Sequence, residues 1–202
     1  MPWETAVVDG RFYSPHPTFF RVTPNHHHGF TVTSIAGTSA PAMQVESAYS
    51  STDRRTLRFV DAASRRVVLT VQESPFSSRR TWVAFWGRST WRRDRLFAAR
   101  EKVSFLNDTT IDIAHVFLAS NRREQDPDFT VHWSSRRGAE TMTISRGYNP
   151  GAVITLIDRE RIGLGGDMYT LTINPYVDHA FILALTVMLH EMDHYRSPQR
   201  SR

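Results

Sequence analysis

The chain has 202 residues, of which 40% are hydrophobic, so it is long enough for one domain with a substantial core. It contains no cysteine, which excludes a disulfide scaffold, a thiol nucleophile and a cysteine-ligated zinc site. The formal charge of +5 comes almost entirely from arginine, since Lys102 is the only lysine. Arginine suits bidentate contacts with phosphate or carboxylate, while a solvated arginine-rich surface is the simpler interpretation.

Targeting and boundary signals are not evident in the sequence. The N-terminus, Met1 to Thr5, lacks the basic and apolar regions of a secretory signal. No Gly/Ser-rich or Pro-rich linker divides the chain, so we expect one domain over residues 1–202, with a core from about residue 7 to 192 and a tail at 193–202. We expect a monomeric cytoplasmic protein, peripheral at the membrane where it binds lipid.

Short runs rich in Val, Ile, Phe, Thr and Trp alternate with Gly, Asn, Asp and Arg clusters, which predicts successive antiparallel strands. The clearest runs are Phe30 to Ile35, Ala42 to Glu46, Thr56 to Val60, Val67 to Gln72, Thr81 to Trp86, Leu96 to Ala99, Ile111 to Leu118, Phe129 to Trp133, Thr141 to Ser145, Val153 to Ile157 and Met168 to Ile173. One more strand is predicted at Thr5 to Val8 or at Phe19 to Val22, which brings the number to about twelve.

One stretch near the C-terminus, Val177 to Leu189, has helical length and is apolar on every face. Only Thr186 is polar between Ala180 and Leu189, so other parts of the protein must surround the whole helix. The run is shorter than the about 20 apolar residues that cross a bilayer. Asp178 is either its N-cap or a first-turn acid, and Asn174-Pro175 is the alternative start.

The strands and the helix fit together as a barrel. Eight strands enclose an interior that side chains just fill, and each further strand widens it. About twelve strands leave room for a helix roughly 10 Å across, which would complete the core. The helix residues predicted to lie in that core are Phe181, Ile182, Leu185, Val187, Met188 and Leu189.

Four groups of residues occur in the order of a known family, and the resemblance covers the chain from about Val7 to Met192. They are Val177-Asp178-x-Ala180-Phe181-Ile182 after Pro175, Thr81-Trp82-x-x-Phe85-x-Gly87 with Ser89-Thr90, Val116-Phe117-Leu118, and Asp128-Phe129-x-Val131. Together they resemble the plant LURP-one-related family, a branch of the Tubby C-terminal-like superfamily. The resemblance implies a twelve-stranded barrel around a hydrophobic C-terminal helix and a defence- or stress-associated role. Tubby domains bind phosphoinositides, so it also favours an anionic lipid ligand.

The residues His190-Glu191-Met192-Asp193-His194 match the H-E-x-x-H zincin motif. On a helix, His190 and His194 lie on one face and can ligate zinc, while Glu191 can polarise a bound water. The residues after the motif supply no third ligand of the familiar kind. We therefore favour a polar helix end that emerges from the barrel, and we predict no metal and no cofactor.

Two other motifs have simpler interpretations than ligand binding. His26-His27-His28 could be taken for a metal site, but consecutive side chains seldom converge on one ion, and the flanking Pro24 and Gly29 favour a loop. The run Gly163 to Asp167 is glycine-rich like a phosphate-binding loop, yet it leads into a strand rather than a helix. A hairpin connection is favoured there.

The most distinctive surface stretch interleaves arginine with tryptophan between residues 79 and 95. Arginines can bind phosphates while exposed indoles stack on bases or lie at a membrane interface. The residues assigned to an anionic-lipid site are Arg79, Arg80, Arg88, Arg92, Arg93 and Arg95. The alternative is that Trp82 and Trp86 pack on the barrel beneath a solvated loop.

Other catalytic signatures, such as a nucleophile elbow or a nucleotide-binding P-loop, do not occur in the sequence. We therefore predict a non-enzymatic, Tubby-like adaptor that binds anionic phospholipid, a phosphoinositide above all, or a protein partner. Two alternatives from other classes remain: a zinc hydrolase that uses the motif at 190–194, and a nucleic-acid-binding module that uses residues 79–95.

Overall fold

The computed structural model describes residues 7–26, 28–36, 41–48, 54–75, 77, 79–102, 110–136, 138–162 and 166–194. Two short 3-10 helices, Gly10–Phe12 and Arg92–Asp94, accompany the main elements. The main elements are β1 (Thr18–Pro24), β2 (Phe30–Ser34), β3 (Pro41–Ala48), β4 (Thr56–Asp61), β5 (Val67–Glu73), β6 (Thr81–Trp86), β7 (Arg95–Glu101), β8 (Thr110–Leu118), β9 (Phe129–Arg136), β10 (Ala139–Arg146), β11 (Val153–Arg161), β12 (Asp167–Ile173) and α1 (His179–His194).

The twelve strands form one closed antiparallel barrel, as predicted. Each strand pairs with the next along the chain, and β12 pairs with β1 to close the ring, with Phe19 opposite Thr172. Of the two alternatives for the remaining strand, Phe19 to Val22 is correct, because it lies within β1. Val7 and Val8 are outside any strand, and residues 5 and 6 lie outside the described part of the chain.

The predicted central helix runs through the barrel. All six helix residues predicted to be core are buried, none more than 5% exposed. Strand residues that face inward alternate with outward ones, as with Phe30 and Val32 on β2, where the intervening Thr31 is only partly buried. The helix therefore supplies the centre of a core whose outer layer is the inner face of the barrel.

Asp178 is the N-cap of α1. Its Oδ1 accepts a hydrogen bond from the Phe181 amide at 3.1 Å, and its Oδ2 accepts one from the Val8 amide at 2.7 Å. Phe181 is three residues on, where an N-cap side chain normally reaches. The carboxylate thus joins the start of the helix to the chain that precedes β1.

The antiparallel order gives the barrel two distinct ends. We call the end where α1 begins the entry end; the β6–β7 turn and the β8–β9 loop lie there. We call the end where α1 terminates the exit end; the β5–β6 connection and the starts of β8, β10 and β12 lie there. Among the described residues, no helix is long and apolar enough to cross a membrane.

Candidate functional site

The six arginines assigned to a lipid site are divided between the two ends of the barrel. Arg79 and Arg80 precede β6, whereas the other four, Arg88, Arg92, Arg93 and Arg95, follow it. A six-residue strand spans roughly 20 Å, so these groups do not form one surface. Of the second group, Arg92, Arg93 and Arg95 line a common site, whereas Arg88 is exposed and is not part of its lining.

Arg80 has a structural role at the exit end. Its Nη1 donates a hydrogen bond to the Met192 carbonyl oxygen at 2.7 Å, in the last turn of α1. The last carbonyls of a helix lack intrahelical partners and carry its partial negative charge, so a guanidinium there stabilises the helix end. Arg79 beside it is exposed.

A groove of about 730 Å³ lies on the outer face of the barrel, between the β6–β7 turn and the β8–β9 loop. We call it the basic groove. Its charged lining consists of Arg92, Arg93, Arg95, Arg100, Arg122 and Glu124. Val83 and Phe85 of β6 contribute its apolar lining. Five arginines against one glutamate make the groove strongly positive.

Glu124 holds two of these arginines in place. Its Oε1 accepts a hydrogen bond from Arg95 Nη2 at 2.6 Å, and its Oε2 accepts one from Arg100 Nη2. Burial opposes ionisation of this carboxyl, but the hydrogen bonds from Arg95 and Arg100 outweigh it and hold the pKa of Glu124 below its usual value. Glu124 therefore offsets one of these two positive charges and fixes both side chains in the groove wall.

The β8–β9 loop is built to present Glu124. The residue has a φ of +48°, in the left-handed region that residues other than glycine adopt uncommonly. Asn121 supports this conformation: its Oδ1 accepts a hydrogen bond from the Glu124 amide, and its Nδ2 donates to the Asp126 carbonyl and the Asp128 carboxylate. Such local strain often marks a functional segment.

The remaining arginines of the groove are directed to solvent. Arg92 and Arg122 are exposed, and neither forms an ion pair with a carboxylate of the described residues. The Arg93 side chain is 82% exposed and only 3.7 Å from Asp94, a weak pair in water. Three guanidinium groups are thus available to an anion.

The tryptophans of the stretch differ in their surroundings. Trp82 is a core residue with 1% exposure, whereas Trp86 is 46% and Trp91 69% exposed. Trp91 lies next to the groove, and the Arg93 guanidinium is 5.8 Å from its ring centroid. The turn is fixed by the Ser89 hydroxyl, which donates to Asp94 at 2.6 Å. An exposed indole is therefore held beside the exposed arginines.

Sequence reasoning did not find the part of the groove that comes from outside residues 79–95. Arg100 lies on β7, and Arg122 and Glu124 come from the loop after β8. The one available signal was the run Asn121-Arg122-Arg123-Glu124 between two predicted strands. That run places turn-forming and basic residues together, but sequence alone does not show which other loop it faces.

Within the motif at 190–194, His190 and Glu191 attach the end of α1 to the barrel through side-chain contacts. Glu191 is buried and forms a bidentate pair with Arg55, at 3.0 Å to Nε and 2.9 Å to Nη2. The Tyr169 hydroxyl is 3.0 Å from His190 Nδ1. The expectation of a helix end that emerges from the barrel is therefore wrong for residues 190 to 192, because these contacts hold them at its mouth.

In the part of the chain that the structure describes, no group of three or more His, Cys, Asp or Glu side chains is arranged to hold a metal ion. His26 and His28 are exposed in the β1–β2 loop, and residue 27 lies outside the described ranges. Residues 163–165 also lie outside them. The flanking strands β11 and β12 are antiparallel neighbours, as the hairpin interpretation requires.

The family model and the relatives that match this chain carry the same family description. A family model described as LURP-one-related matches residues 21–190. Protein LURP-one-related 15 of Arabidopsis thaliana is 27% identical over 196 residues, which cover 93% of this chain and 86% of that protein. Protein LURP-one-related 10 of the same plant is 27% identical over 198 residues, which cover 93% of this chain and 96% of that protein.

A solved structure has the same fold. The X-ray structure of a protein from Arabidopsis thaliana aligns with a TM-score of 0.67 over 93% of this chain and 98% of that chain, at 23% identity. The family model extends from β1 to the last turns of α1, so it includes every strand of the barrel. The chain therefore belongs to the LURP-one-related family.

Proposed function

We propose that this protein is a non-enzymatic adaptor that docks on membranes by binding the phosphate groups of an anionic phospholipid, a phosphoinositide above all, in the basic groove. The observation that carries the proposal is the groove itself, with three solvent-directed guanidinium groups beside an exposed indole. Guanidinium groups bind phosphate oxygens, and tryptophan favours the membrane–water interface. A defence- or stress-associated role is what the resemblance implies for such an adaptor.

Two features favour a lipid headgroup over a nucleic acid. Three solvent-directed arginines, Arg92, Arg93 and Arg122, lie together at one groove, whereas a nucleic acid site follows the backbone over several nucleotides. Further aromatic residues, Tyr148 and Tyr176, are exposed near the entry end, in the segments before β11 and α1. Amphipathic rings at one end of a molecule suit a membrane interface. The protein would approach the bilayer with its entry end.

The test is co-sedimentation with liposomes of phosphatidylcholine, with and without phosphatidylinositol 4,5-bisphosphate, at physiological salt. We expect binding only to the charged liposomes and a decline as salt rises, because exposed charges are screened. Each basic residue near an anionic surface contributes about 1 kcal/mol. The double variant Arg92→Glu/Arg122→Glu should therefore weaken binding by more than about tenfold.

The matched control is Arg79→Glu/Arg136→Glu, which makes the same change in net charge with two exposed residues at the exit end. Near-normal binding by this control is expected. Equal losses in both variants would mean that only net charge matters and would refute a site in the groove. A gel shift with single-stranded DNA that exceeds liposome binding would instead favour the nucleic-acid-binding alternative.

A further inference from the structure

A second cavity, of about 110 Å³, lies at the exit end, and its lining shares no residue with that of the basic groove. We call it the mouth cavity. It opens between the last turn of α1 and the strands β7 to β12. Its apolar lining is Ile111, Ile113, Trp133, Met142, Leu189 and Met192, and its polar lining is Glu101, Glu140, Arg159, Arg161, Tyr169 and Asp193.

Arg159 lies at the centre of the polar side, surrounded by carboxylates. Its guanidinium nitrogens are 3.2 Å from Glu140 Oε2, 2.5 Å from Asp167 Oδ2 and 2.7 Å from Asp193 Oδ2. The side chains of Arg159, Glu140 and Asp167 are 14%, 20% and 19% exposed, whereas that of Asp193 is 39% exposed at the rim. One guanidinium thus faces two partly buried acids and a third acid that is more exposed.

The other charged groups at the mouth leave an excess of negative charge. Arg161 Nη2 donates to Glu140 Oε1 at 2.9 Å, but this arginine is 68% exposed and partly solvated. Glu101 adds a further carboxylate to the lining. Tyr169, bonded to His190, contributes a neutral hydroxyl. Four carboxylates therefore lie among three guanidinium groups, because Arg80 also reaches this end and donates to the carbonyl oxygen of Met192.

We infer that the mouth cavity binds a small organic cation, an ammonium group carried on a short apolar body. The apolar side would receive the hydrocarbon, and the ammonium would donate to Glu140 and Asp193 at the rim, where partly buried carboxylates gain from a compensating charge. The size limits the ligand, because an apolar cavity of about 150 Å³ accommodates benzene. A chain of roughly five carbon atoms fits the smaller volume. This site is independent of lipid binding.

The methionines allow a direct test. Met142 and Met192 line the cavity, whereas Met43 is buried in the barrel core on β3. With the full chain labelled at its methionine methyl carbons, n-pentylammonium should shift the NMR signals of Met142 and Met192 and leave that of Met43 unchanged. The neutral n-pentanol should bind at least about tenfold more weakly, since it lacks the charge-assisted contacts, and pentanoate should not bind.

Variants separate a specific site from a general effect. Glu140→Gln and Asp193→Asn should each weaken n-pentylammonium binding by about fivefold or more. Glu160→Gln, an exposed carboxylate on the same strand as Arg159, should leave it unchanged. Asp193 is more exposed than Glu140, so its variant remains informative if loss of Glu140 disturbs folding. Two results would overturn the inference. One is equal affinity for n-pentanol and n-pentylammonium. The other is that titration of the Met142 and Met192 signals gives no Kd below about 10 mM.

Discussion

His179, the first residue of α1, is a histidine enclosed by aromatic rings. Its ring centroid is 5.3 Å from that of Phe12 and 5.2 Å from that of Phe20. Its Nδ1 has no hydrogen-bond partner among the described residues. Burial in these surroundings lowers the pKa of His179 to about 4. The folded protein therefore favours the neutral imidazole.

This histidine should make stability depend on pH. The unfolded chain takes up the proton near pH 6.5, whereas the folded protein does so only near pH 4. Stability is therefore lost as pH falls from about 6.5 to about 4, by up to roughly 3 kcal/mol. His179→Phe should remove this part of the decline, as measured by urea unfolding at pH 7 and pH 4.5.

The wild type must be compared with the His179→Phe variant because other groups titrate in the same pH range. Burial raises the pKa of the neighbouring Asp178, an effect of opposite sign that both proteins share. We expect the wild type to lose more free energy of unfolding than the Phe variant between the two pH values. Equal losses would mean that His179 does not stay neutral in the folded protein.

Residue roles at the candidate site were the least predictable from the sequence. Arg80 and Arg92 look alike in an arginine-rich stretch, yet one binds the end of α1 and the other faces solvent. The difference depends on Met192, which is more than a hundred residues away along the chain. The partner of Glu191, Arg55, is equally remote along the chain. The spacing of H-E-x-x-H alone therefore could not show whether these residues bind zinc or stabilise the fold.

At the scale of elements, the end of α1 is attached to several sides of the barrel. Arg55 before β4 binds Glu191, Arg80 before β6 binds the Met192 carbonyl, and Arg159 of β11 binds Asp193. A helix C-terminus disfavours carboxylates because of its partial negative charge. The arginines offset that effect and fix the position of the helix along its axis.

Loss of the Glu191 carboxylate should therefore destabilise the fold. Glu191→Gln leaves Arg55 without its ionic partner in a site where the glutamate side chain is only 7% exposed. We expect the free energy of unfolding to fall by about 2 kcal/mol in urea titrations. The exposed Glu160→Gln serves as the control and should change it little.

The zinc hydrolase alternative makes a different prediction for the same protein. A zinc site that includes His190 would raise the melting temperature when zinc is added, through binding to the folded state. The contacts of Glu191 and His190 with Arg55 and Tyr169 lead us to expect no such increase. An unchanged free energy of unfolding in Glu191→Gln, together with a zinc-dependent increase for the wild type, would contradict the structural role.

Elements were far more predictable than residue roles. Predicted strands such as Thr81 to Trp86 match the structure, and the others differ by a few residues at their ends, because alternation shows which residues are buried but not where pairing stops. The helix extends to His194, beyond the apolar run that ends at Leu189. Its polar last turn is held by long-range contacts that a local pattern does not contain.

At the scale of the whole molecule, the barrel and the helix depend on each other. Leu185 is fully buried at the centre of α1, whereas Leu156 of β11 is 38% exposed on the outer face. Leu185→Asp would bury an unpaired charge and should prevent soluble expression. Leu156→Asp makes the identical chemical change and should be tolerated. Soluble, cooperatively folded Leu185→Asp protein would refute the central position of the helix.

Closure of the ring by β1 and β12 limits the ways in which this protein can recruit a partner. An open sheet offers unpaired amide and carbonyl groups along its edge strand, and many peptides bind by adding a strand there. In a closed barrel, those groups are already occupied by the neighbouring strands. A partner must therefore be recognised by side chains on the loops or the outer wall, so its affinity should respond to point substitutions there rather than to the β-propensity of a docking peptide.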